Sequence, residues 1–181
     1  MLILGHVGIS LGAAQLFERV VLRRRRGLDY RLLMVGALLP DMIDKPVGLY
    51  ILGDVIHSGR IVGHTLLFSL VLLGVGVWRY RRGNAVLLSL GLGTLLHLVL
   101  DEMWLQPAVL WWPVLGWSMV ESWSTPFGSF VHSMINAYTM PRTYATELLG
   151  GLIVAHFLWR VLRGRQRWRS VTGPAEEVRR R

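Results

Sequence analysis

The sequence predicts an all-α fold, a polytopic membrane helical bundle with about five to six apolar helical segments, some of them short or re-entrant. Three observations carry this. Hydrophobic residues are 52% of the chain and charged residues only 17%, too apolar a balance for a solvated or disordered protein. The apolar residues come in runs, several of them close to the ~20 residues a helix needs to cross a bilayer. Arginines cluster at the ends of those runs. Cysteine is absent, which excludes disulfide scaffolds and thiolate metal sites, and a length of 181 residues leaves room for one domain.

Residues 2–22 form the first apolar run, followed at once by Arg23, Arg24, Arg25 and Arg26. A cleaved signal peptide carries its charges in front of the apolar region, so this reads as a retained helix with its N-terminus outside. Tyr30 to Ile43 and Pro46 to Ile56 are each too short to span comfortably and read as a short rising helix followed by an interfacial or re-entrant piece. Residues 61–78 predict a further helix ending at Arg79, Arg81 and Arg82, residues 84–103 the next, and Tyr144 to Leu162 the last. Between these, residues 104–143 form a long outer connection with Trp104, Trp111, Trp112, Trp117 and Trp123, an interfacial lid. The domain thus covers residues 1–169, and 170–181 read as a disordered basic cytoplasmic tail.

The net charge of +9 suggests nucleic acid until the charges are placed. If the first helix runs inward, 17 of the 20 basic residues fall on the cytoplasmic side, leaving Lys45, Arg60 and Arg142 outside. That is the positive-inside pattern, with a cytoplasmic C-terminus, and it makes the bilayer the partner and nucleic acid not one.

The potential metal ligands collect on the other face. His6, Asp41, Asp44, Asp54, His57, His64, His97, Asp101, Glu102, Glu121, His132 and Glu147 all lie at or near outer helix ends. His97 and Asp101 are four apart and share a helix face; Asp41 and Asp44 are three apart after Pro40, and both can face inward. A lone histidine on an apolar helix is more often a packing residue than a ligand, which is the better reading of His156. Six independent burials at one depth, His6, Asp41, Asp44, His64, His97 and Asp101, are far less easily explained that way. Imidazole with carboxylate suits zinc first, with manganese, iron or magnesium as alternatives, and six ligands suffice for one or two ions.

The segments Gly5-His6, Gly36 to Asp44, Arg60 to Thr65, Gly93 to Asp101 and Trp112-Pro113 together resemble the integral-membrane metal-dependent hydrolases that include the LexA-regulated YdjM proteins. The resemblance covers about residues 1–115 and implies a multi-pass inner-membrane protein with a metal site at those His and Asp positions. A more distant likeness is to zinc-dependent phospholipase C and the single-strand nucleases. Those enzymes add a later His-x-x-x-Glu or His-x-x-x-Asp pair on another helix, whereas here Thr143 precedes Glu147 at that spacing.

The function expected is metal-dependent hydrolysis of a lipid or amphiphilic phosphoester at the outer face, by metal-activated water. Arg60, taken to sit at the N-terminal edge of a helix, would bind a phosphate oxygen, and Asp44 or Glu147 would act as general base. The alternative is a divalent-metal carrier or metal-sensing membrane protein using the same ligands.

Overall fold

The computed structural model describes residues 2–22, 27–51, 60–116, 135–136 and 140–163. Among them there are helices and turns and no strand, as expected. Helix α1 covers Ile3–Val20, α2 Tyr30–Gly36 and α3 Leu39–Pro46, which continues into a π-type turn, Val47–Ile51. Helix α4 covers Leu66–Arg81, α5 Val86–Leu100, α6 Pro107–Leu110 and α7 Pro141–Leu162. Asp54, His57, Trp117, Glu121, Trp123, His132 and the tail from residue 164 lie outside the described residues.

The starts of the helices follow from their caps. Asp29 accepts hydrogen bonds from the Arg31 and Leu32 amides and starts α2. The Thr65 hydroxyl accepts from the Phe68 amide at 3.1 Å and starts α4 at Leu66, so the helix expected from residue 61 begins later. Residues 60–65 are instead a turn, which corrects the placement of Arg60 at a helix edge. Helix α5 stops at Asp101 because Glu102 takes the left-handed conformation with φ 53°, uncommon for a residue with a Cβ.

Helices α4 and α5 pair antiparallel, with Gly76 against Leu88 and Gly91 against Leu73. Helices α1 and α7 run parallel, since Gly8 meets Gly150 and Gly12 meets Ile153. A Cβ on Gly8 would overlap the Gly150 carbonyl, and one on Gly93 the Leu33 carbonyl, so the backbones touch where only glycine permits it. Helix α2 lies along α5, and α1 also touches α5. Helices α1, α4 and α7 therefore start at the end of the bundle where α2 and α5 finish.

Helix α7 is the one described helix long and apolar enough to cross a membrane, and α5 is a shorter apolar helix. The other segments fall short for visible reasons. Glu18 and Arg19 interrupt α1 near its end, α4 has 16 residues of which Arg79 and Arg81 are two, and α2 and α3 are about two turns each. Large apolar side chains nevertheless face outward along several helices, among them Leu70, Val71 and Val75 on α4 and Leu148, Leu152 and Leu158 on α7.

Candidate metal centre

Three histidines meet where α1, the turn before α4 and α5 converge. His6, His64 and His97 are all at most 2% exposed. Each has its Nδ1 turned to an acceptor: His6 to the Leu2 carbonyl at 2.9 Å, His97 to the Ala37 carbonyl at 2.8 Å, and His64 to Asp44 Oδ2 at 2.7 Å. A carbonyl oxygen only accepts, so Nδ1 carries the hydrogen in His6 and His97, and the Asp44 carboxylate imposes the same tautomer on His64. In each neutral ring the lone pair is then on Nε2.

Those Nε2 atoms converge on one another and on two carboxylates. His64 Nε2 and His97 Nε2 are 3.2 Å apart. His6 Nε2 is 3.1 Å from Asp101 Oδ1, His97 Nε2 is 3.9 Å from Asp101 Oδ2, and His64 Nε2 is 3.5 Å from Asp41 Oδ1. Lone pairs facing lone pairs and anions repel, and the arrangement calls for positive charge at its centre. Two ligand groups satisfy the spacing for a cation, His6 with His97 and Asp101, and Asp41 with His64 and His97, the donor atoms of each lying within 4.8 Å of one another. One ion held by two imidazoles at about 2.1 Å each in tetrahedral geometry spaces their nitrogens by roughly 3.4 Å, close to the His64–His97 separation. The donor set therefore fits a divalent ion, with each ring's Nδ1–H anchored to an outer acceptor as metal-binding histidines require.

Each ligand carboxylate divides its oxygens between the histidines and a cation. Asp101 Oδ2 accepts from Arg60 at 2.9 Å, and Asp41 Oδ2 from Lys45 at 2.6 Å. Asp101 lies just past the end of α5. Burial would push its carboxyl up, but His6 when its ring is protonated, the Arg60 guanidinium and a protonated His97 outweigh burial and hold it well below the usual carboxylate range.

Asp44 and Glu147 occupy different positions from the other predicted residues. Asp44 is 1% exposed and stands behind His64, accepting from the Ile61, Gly63 and His64 amides at 2.7, 2.8 and 3.1 Å besides the His64 ring. Asp41 and Asp44 thus meet opposite edges of one imidazole, where their spacing had placed them side by side. Glu147 accepts from the Leu2, Leu4 and Gly5 amides at 3.1, 3.0 and 2.7 Å, so it caps α1 from α7 and fixes the turn that carries His6. Nothing in the spacing pointed to the Leu2 and Ala37 carbonyls, and the one sign of Glu147's role was that Leu2 precedes α1 without a capping side chain. His156 is exposed on α7 against the Trp159 ring, away from the cluster.

No curated protein and no solved structure matches this chain. The profile of one family does, that of the YdjM inner membrane protein, over residues 1–167. That covers nearly all of the sequence, helices and ligand cluster included, and the chain belongs to the YdjM inner membrane protein family.

Proposed function

We propose that this chain is a membrane-embedded metal-dependent hydrolase, a phosphoesterase that takes a lipid or amphiphilic phosphoester at the outer face of the inner membrane. The observation that carries the reading is the convergence of three Nε2 lone pairs and two carboxylates, with every Nδ1–H held by an acceptor. His6, His64, His97, Asp41 and Asp101 would hold one or two divalent ions, zinc first by donor chemistry. Such an ion supplies Lewis-acid activation of water and of a phosphoryl oxygen.

The chain's own groups do the rest. Arg60, 28% exposed at its side chain and paired with Asp101 at 2.9 Å, would meet a phosphate oxygen there. Asp41, the more exposed of the two ligand carboxylates at 26% against 9%, would be the ligand nearest to incoming water, with Lys45 holding its second oxygen. Asp44 and the three Nδ1 acceptors keep the rings aimed inward, and Glu147 keeps His6 in register.

Topology supports the outer-face assignment. Helices α1, α4 and α7 start at the cluster and end in Arg19, Arg79 with Arg81, and Arg160 respectively, so the basic ends gather opposite the ligands. The N-terminus is then outside, the C-terminus cytoplasmic, and the bundle multi-pass.

A divalent-cation carrier is the second reading. Ser10, one turn along α1 from His6, and Ser69, one turn along α4 from Thr65, are buried hydroxyls without a hydrogen-bond partner, and polar groups in that position would begin a path inward. The deciding experiment pairs two assays on purified protein: zinc flux in proteoliposomes and metal-dependent release of phosphate from lipid phosphoesters. Hydrolysis abolished by His97→Ala supports the enzyme; flux without hydrolysis overturns it.

A further inference from the structure

Two helices that do not pack against each other end in the same arrangement. Helix α4 finishes Trp78-Arg79-Tyr80-Arg81-Arg82 and α7 finishes Trp159-Arg160-Val161-Leu162-Arg163, both reading Trp-Arg-x-x-Arg. In each, the last arginine folds back over the indole one turn earlier, with the guanidinium carbon 4.1 Å from the Trp78 ring centre for Arg82 and 4.6 Å from the Trp159 ring for Arg163. Both tryptophans are about half exposed, at 50% and 41%.

The two stacks also sit at one level. Helix α4 starts at Leu66, two residues after the cluster's His64, and Trp78 and Arg82 lie twelve and sixteen residues beyond Leu66. Glu147 is held at the start of α1 beside His6, and Trp159 and Arg163 again lie twelve and sixteen residues beyond. At 1.5 Å per residue the backbone positions of the tryptophans are ~18 Å and those of the arginines ~24 Å along the axis from Leu66 and Glu147 alike. A shared height on separate helices is what a flat surface imposes, and indole beneath guanidinium is the order in which a bilayer passes from its interface to its headgroups.

The geometry points to a pair of headgroup clamps, Trp78 with Arg82 and Trp159 with Arg163, that bind anionic phospholipid in the cytoplasmic leaflet. This rests on the topology proposed above, not on the hydrolytic chemistry. Charge alone would be met equally by lysine, yet all 19 cations other than Lys45 are arginine. A guanidinium lying flat on an indole keeps its planar fork of N–H donors at the edge, suited to two phosphate oxygens at once, whereas an ammonium has neither the stacking surface nor the fork. Arg79, Arg81 and Arg160 add positive charge beside the stacks.

The test uses the full chain in a neutral detergent, titrated with short-chain phosphatidylglycerol and, separately, phosphatidylcholine, with bound lipid counted by native mass spectrometry. The wild type is expected to bind phosphatidylglycerol the more tightly, by roughly fivefold for each stacked arginine, and to lose that preference as salt rises. Arg82→Lys with Arg163→Lys preserves the charge, and with helical circular dichroism unchanged it should lose most of the preference. Equal binding of the two lipids by the wild type overturns the proposal, as does full preference in the lysine variant, which would mean diffuse charge and no clamp. A reporter fused after Arg181 tests the topology separately: a cytoplasmic reporter supports the leaflet assignment, and an external one overturns it.

Discussion

Glu147→Ala separates a structural carboxylate from a catalytic one. Glu147 accepts three backbone hydrogen bonds of 2.7–3.1 Å from the first turn of α1, which has no cap of its own. Leu4 is 47% exposed, so part of the lost bonding is replaced by solvent. At about 1 kcal/mol net for each bond, alanine should cost roughly 3 kcal/mol, near a hundredfold in the folding equilibrium. Glutamine keeps one acceptor oxygen and loses the charge at a helix N-terminus, so it should cost about 1 kcal/mol. Reversible unfolding in mixed detergent–SDS micelles, followed by far-UV circular dichroism, measures both. Metal affinity should fall along with stability, because His6 sits in the turn that Glu147 holds. If Glu147→Ala leaves stability within about 0.5 kcal/mol of wild type while any hydrolytic activity vanishes, the capping account is wrong and the carboxylate is chemical.

Three further outcomes are expected. Asp44→Asn should weaken metal binding about 10- to 100-fold, read by competition with a chromogenic chelator, because the amide cannot accept from all four N–H groups and releases the His64 ring. Gly93→Ala should cost roughly 2–3 kcal/mol in the same unfolding assay, since its methyl group meets the Leu33 carbonyl and the Ala37 amide, whereas Gly74→Ala, with nothing within 4 Å, should be nearly neutral. Arg60→Gln should retain metal but bind inorganic phosphate at least tenfold more weakly, measured by calorimetry on the metal-loaded protein.

Spacing along a single helix was readable because periodicity fixes it. The i, i+4 relation of His97 and Asp101 placed both at one end of α5, and the structure keeps them together, 3.9 Å apart. His6, Asp41 and His64 were legible as a set because polar groups in apolar segments are costly and all lie near the same predicted surface. What the pattern could not express were contacts between distant segments. Asp44 was grouped with Asp41 by sequence distance, yet the turn at residues 60–65 wraps it in three amides and an imidazole. Glu147 reads as a free carboxylate near a helix start until α7 is seen to run parallel to α1. Hydropathy likewise drew the helices too long, because an apolar run continues through breaks such as Ala37-Leu38 and the turn before Thr65, where the backbone does not stay helical.

The proposed function depends on the converging imidazoles and carboxylates holding a metal ion. Elemental analysis of purified wild type and His97→Ala tests it most directly, because His97 belongs to both ligand groups. The wild type should carry about one equivalent or more of a transition metal per chain and the variant close to none, with its helical content intact. Equal metal in both proteins, or none in the wild type after exposure to zinc, manganese and iron, would contradict it.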